Sequence, residues 1–198
     1  MNMLTDSLPD TLTISGRAYP IDTDFRVWIQ YELLLTSGSE LNDDEIFEEI
    51  LHLVFPQQRP PERCEAETAE QIMWFYRCGK DEKKRSDNND DEDIFSYDYD
   101  DGYIVAAFKQ QYGIHLNHSK LHWWEFHAYM LALSENTEFV RIMGIRAMKI
   151  NPKLPAETKN YYQRMKQIYK LPVSREFEEH TRRIEEALMK GEPIDDLL

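Results

Sequence analysis

Residues 11–22 alternate in polarity: Leu12 and Ile14 sit between threonines, and Tyr19 and Ile21 follow the Ser15-Gly16 pair. Period-two alternation on both sides of a two-residue step predicts a short β-hairpin. A lone hairpin is marginal in water, so this one must pack on helices or extend a sheet in a partner. Beyond it the apolar spacing becomes helical. Phe25, Val27, Trp28, Ile29, Tyr31, Leu33, Leu34 and Leu35 predict a first helix over 23–36, with Asp22 or Thr23 as N-cap and Ser37-Gly38 as the stop. A second starts at Asn42, carries Asp43, Asp44 and Glu45 in its first turn and ends at Pro56; acids there favour the helix dipole. A third covers 62–78, with Gly79 as its C-cap.

In the second half the same reasoning predicts helices over 98–112, stopped by Gly113, over 118–133, and over 137–148. Pro155 suits the first turn of a seventh helix over 156–169, and Leu171-Pro172 separates a last one over 174–189. The expected class is mainly α, with about eight helices and a short N-terminal β-hairpin. Residues 80–93 contain no apolar side chain, which predicts a solvated acidic linker. The expected organisation is a hairpin-plus-helix half over 1–79, the linker over 80–93 and a helical half over 94–198, or one domain built from both halves.

Charge sharpens this division. The 198 residues carry a net charge of −14, but residues 1–140 hold 28 acids against 11 bases, while 141–190 hold 6 acids against 12 bases. An acidic surface repels a phosphate backbone, so a nucleic-acid partner is not expected. The basic section suits an acidic surface, on another protein or on the first half of this one. No apolar run reaches the ~18–20 residues of a membrane span. The start, Met1 to Asp6, has neither basic residues nor an apolar run, so no secretory signal is expected and the cytoplasm is the default. There, Cys64 and Cys78 are expected to be thiols rather than a disulfide.

Candidate chemistry is sparse. His118 and His122 are four apart on the expected fifth helix, with His115 just upstream; two such histidines can share a metal. No Glu follows His118 as a metalloprotease motif requires, and no metal is expected. The run from Asp87 to Asp98 fails a calcium loop twice, having Glu92 where glycine is needed and Asp98 where glutamate is needed. Seven glycines in the whole chain include no phosphate-binding loop and no nucleophile elbow. No catalytic residue and no cofactor is expected. Aromatic stripes are the stronger signal: Tyr99 and Tyr103 among acids, Trp123 and Trp124, then Tyr161, Tyr162, Met165 and Tyr169. Each reads as core, and a surplus left outside the core reads as a partner-binding surface.

Four stretches taken together resemble a known family: Leu4 to Asp10 with Tyr19 to Trp28; Phe95 to Phe108; Leu121-His-Trp-Trp124 with Leu133 to Val140 and Arg146-Ala-Met-Lys-Ile150; and Tyr161 to Pro172. They are similar to small bacteriophage and prophage proteins of Gram-positive hosts, encoded in the tail module between the tail tube and tape measure genes. The resemblance implies a tail assembly chaperone that binds the tape measure protein, and other tail proteins with it, in the host cytoplasm, with self-association, and that is absent from the mature virion. It brings no catalytic residues. Eight methionines and 24 aromatics provide adaptable apolar contacts for a helical client. The net charge motivates an alternative from another class, an acidic DNA mimic that inhibits a host nucleic-acid enzyme.

Overall fold

The computed structural model describes residues 2–36, 41–80 and 94–172. The hairpin forms as the alternation requires. Strands β1 (Thr11–Ile14) and β2 (Arg17–Pro20) pair antiparallel, with Leu12 opposite Tyr19. Ser15 and Gly16 both take positive φ, 49° and 74°, the backbone of the two-residue turn that matches strand twist. Leu12, Ile14 and Tyr19 are buried. They pack on the chain's own helices rather than awaiting a partner sheet: Glu67 accepts hydrogen bonds from the Ser15 amide at 2.9 Å and its hydroxyl at 3.0 Å.

Seven α-helices lie among the described residues: α1 (Phe25–Thr36), α2 (Asp43–Val54), α3 (Glu65–Tyr76), α4 (Asp101–Tyr112), α5 (Trp123–Leu131), α6 (Glu138–Ala147) and α7 (Ala156–Ile168). A 3-10 turn over Glu62–Cys64 precedes α3, so the expected 62–78 helix begins in a tighter geometry. Asn42 caps α2 in a capping box with Glu45, and Thr137 caps α6; each side chain satisfies an amide with no partner inside its helix. The expected stop at Ser37-Gly38, nearly all of the 80–93 linker and the expected helix over 174–189 fall outside the described residues.

Two expectations need correction. The fifth helix does not start at His118 but at Trp123. Tertiary pairing overrides the local pattern there: the Phe25 amide donates to the Leu121 carbonyl at 3.1 Å and the Trp123 amide to the Thr23 carbonyl at 2.8 Å. This backbone bridge holds 121–122 extended until α5 can begin, so His118 and His122 never share a helix face. Gly79 is also not the residue that first turns left-handed after α3, although its own φ is positive at 66°. Cys78 occupies that position, at φ 56°, and its amide bonds the Phe75 carbonyl while the Gly79 amide reaches the Trp74 carbonyl at 2.9 Å. This is a Schellman closure with glycine one residue later. Glycine is needed there for space as well as φ, because a Cβ would lie 2.9 Å from the Trp124 ring.

The core joins residues from both sides of the 80–93 segment. Phe25 stacks on Phe126 at 4.7 Å, Tyr76 on Trp123 at 5.4 Å, and Phe108 on Phe126 at 5.0 Å. The last carbonyls of α3 lack intrahelical donors, as at any helix C-terminus. Here two indoles cap them: Trp123 Nε1–H donates to the Tyr76 carbonyl and Trp124 Nε1–H to the Phe75 carbonyl, both at 2.8 Å. One pair of side chains therefore supplies apolar burial and helix capping together.

Candidate functional site

The residues singled out in the sequence separate into three environments. Trp123 and Trp124 are each 1 % exposed and serve the core as helix caps, so they offer no surface to a partner. Tyr99 and Tyr103 flank the start of α4 and stand exposed. The third group lies on α7, a helix with no buried residue. Its period-3.6 pattern divides in two. Tyr162, Met165 and Tyr169 are half-buried, while Tyr161, Arg164 and Ile168 are exposed on the opposite side. The spacing of i, i+3 and i+7 aligns these last three as one outward stripe.

Arg146, near the end of α6, brings these segments together. Its Nη1 donates to Asp100 Oδ2 at 2.6 Å and its Nη2 to Asp100 Oδ1 at 2.9 Å. Its Nε donates to the Tyr169 carbonyl at 2.6 Å, and Nη1 also reaches the Ile94 carbonyl at 3.1 Å. One planar guanidinium thus holds the segment leading into α4, the start of α4 and the end of α7 side by side, a fork geometry lysine cannot reproduce. Asp100 is 1 % exposed and also accepts from the Ser96 amide at 3.0 Å, so both carboxylate oxygens are satisfied. Lys166 adds a bond from Nζ to the Met148 carbonyl at 3.1 Å, tying α7 to the end of α6.

Around this junction the core leaves apolar side chains outside. Ile94, Tyr99, Tyr103, Tyr161 and Ile168 make up half of the ten large exposed hydrophobics among the described residues. Its α7 side is basic, since residues 141–172 hold eight Lys or Arg and one acid, Glu157, whereas exposed Asp98 and Asp101 flank the tyrosines at the start of α4. Exposed aromatics beside charges of both signs suit protein contact, where aromatics and arginine are enriched.

Several other polar side chains make defined local contacts. His122 is the N-cap of α5: its Nδ1 accepts from the Trp124 amide at 3.1 Å, and its Nε2 lies 3.0 Å from the Pro9 carbonyl as a donor. His118 lies in a turn beside a cleft of about 260 Å³ that Lys109 and His115 also line, and Lys109 bonds to the His115 ring. Among the described residues no three or more His, Cys, Asp or Glu side chains gather as a metal site would need. The Tyr76 hydroxyl donates to the Glu32 carboxylate, and burial followed by that bond pushes its pKa up. Burial raises Tyr97 as well, and it lifts the Cys78 thiol to about 11. Burial and then Lys80 lower the pKa of His127. Sequence reasoning missed Arg146 and Asp100. The one signal was the alternation of acids and tyrosines over 97–103, which reads equally well as a helix start.

The profile of the family described as Bacteriophage Gp15 protein matches residues 4–171. The chain belongs to the bacteriophage Gp15 protein family. The match covers the hairpin, all seven described helices and every residue of the Arg146 junction. No curated protein and no solved structure matches this Gp15 family member. Among the described residues, no helix is long and apolar enough to cross a membrane.

Proposed function

We propose that this Gp15 family member is a tail assembly chaperone that binds the tape measure protein during phage tail morphogenesis, without catalysis. It acts in the host cytoplasm and leaves before the tail is complete. One observation carries this reading: large apolar side chains stay outside the core on two segments, α7 and the start of α4, that Arg146 ties together. Isolated exposed apolar residues need no explanation, but a group held by a buried ion pair supports an interaction surface. A long helical client with apolar seams aggregates if left bare, and a surface of exposed tyrosines with Ile94 and Ile168 can seat such seams.

Binding of the purified chain to overlapping segments of the tape measure protein from the same phage tests the proposal. Isothermal titration should find at least one segment that binds, and Tyr99→Ser with Tyr103→Ser should weaken it tenfold or more, about 1.4 kcal/mol. Absence of binding to every segment would remove the proposal.

A further inference from the structure

We propose that copies of this chain associate head-to-tail, the outward stripe of α7 on one copy docking into the cleft between α2 and α3 on the next. The stripe is Tyr161, Arg164 and Ile168. Tyr161 is 57 % and Ile168 59 % exposed, and Arg164 puts a positive charge between them. The cleft encloses about 180 Å³, large enough for one aromatic side chain. Phe47, Leu51, Pro60 and Pro61 give it an apolar floor, and the carboxylates of Glu62 and Glu65 stand at its rim. A third carboxylate, Glu48, is paired with Arg59 at 3.1 Å, so the rim has a net negative charge.

Charge complementarity selects a second copy as the occupant. The section from 141 to 172 has eight bases and one acid, whereas residues 1–140 have 28 acids and 11 bases. Within one chain Arg146 already uses Asp100, but the α7 stripe and the cleft's carboxylates lie on different halves, so each chain offers a second copy a complementary pair of patches. Within one chain α7 packs on α6, and the cleft opens on the other half, beside α2. Two different patches meet in this contact, so it is heterologous: it closes into a ring or continues as a filament. Repetition along a filament or ring would bring the tyrosines at the start of α4 into register on successive copies. The inference does not depend on the tape measure reading, since it concerns only this chain.

Sedimentation velocity of the full chain over a hundredfold concentration range tests it, with two variants. Tyr161→Ser/Ile168→Ser removes the stripe and keeps the cleft; Glu62→Lys/Glu65→Lys reverses the rim and keeps the stripe. All four positions are exposed, and far-UV circular dichroism checks that both variants fold. The parent chain should form species larger than a dimer as concentration rises, and should return to monomer at 1 M salt, where the screening length falls to about 3 Å. Each variant alone should remain monomeric at concentrations at least tenfold above the parent's midpoint. An equimolar mixture of the two should form a dimer and nothing larger, because only one intact stripe and one intact cleft are present. A parent chain that stays monomeric throughout would overturn the proposal. So would association that survives either variant, or a mixture that stays monomeric.

Discussion

Arg146 and Asp100 form a two-bond ion pair, 2.6 and 2.9 Å, with the carboxylate almost wholly withdrawn from water and the guanidinium side chain 10 % exposed. Taking both charges out of solvent is expensive, and what offsets it is complete pairing. Breaking the pair from one side leaves an uncompensated buried charge. Arg146→Ala should therefore destabilise the fold by about 3–5 kcal/mol, read from the midpoint of urea unfolding. Arg146→Lys should recover less than half of that loss, because an ammonium cannot hold Asp100 and the Tyr169 carbonyl in one plane. Full recovery by lysine would mean that only the charge matters.

Gly79 should tolerate no side chain. At φ +66° with a Cβ position 2.9 Å from Trp124 and 3.3 Å from Trp74, alanine meets both backbone strain and a ring that cannot withdraw. Trp124 is buried and held by its bond to the Phe75 carbonyl. Gly79→Ala should cost roughly 2–3 kcal/mol by over-packing and left-handed strain together, with a shift in tryptophan emission. An unchanged melting temperature would contradict the Schellman closure against Trp124.

His127 gives a pH dependence of defined sign. Burial, then the nearby Lys80, lowers its folded pKa below the reference of about 6.5. The unfolded chain then binds the proton more readily, so stability is complete above about 6.5 and falls as pH drops below it, levelling off once the folded form also protonates. His127→Gln should flatten that part of the curve between pH 5 and 7. A variant whose stability still falls with the parent slope would assign the dependence elsewhere.

The two thiols are free and buried, and burial raises Cys78 to about 11. Alkylation requires thiolate and access. Iodoacetamide at pH 8 should label Cys78 at least tenfold more slowly in the folded chain than in urea, with mass spectrometry as the readout. Equal rates would show that the end of α3 opens freely.

Much of the fold could be read from local signals because local physics decides it. The Ser15-Gly16 turn, the Asn42–Glu45 capping box, the Thr137 cap and the Gly113 stop depend on residues within a few positions of one another. What escaped reading depends on distant partners. His118 and His122 look like helix neighbours until residues 121–123 pair with 23–25. Trp123 and Trp124 read as core from their chemistry, but that their indoles cap the carbonyls at the end of α3 depends on partners nearly fifty residues away. The two faces of α7 follow from spacing alone, but which one turns outward depends on where Arg146 and Lys166 fasten it. The family itself was legible only from four stretches taken together, not from the spacing of any one of them.

Co-expression with fragments of the tape measure protein, followed by light scattering of the purified species, tests the chaperone proposal most directly. The expected result is a soluble complex holding several copies of this chain per fragment, lost when Tyr99 and Tyr103 are changed to serine. A lone chain beside an aggregated tape measure fragment would contradict it.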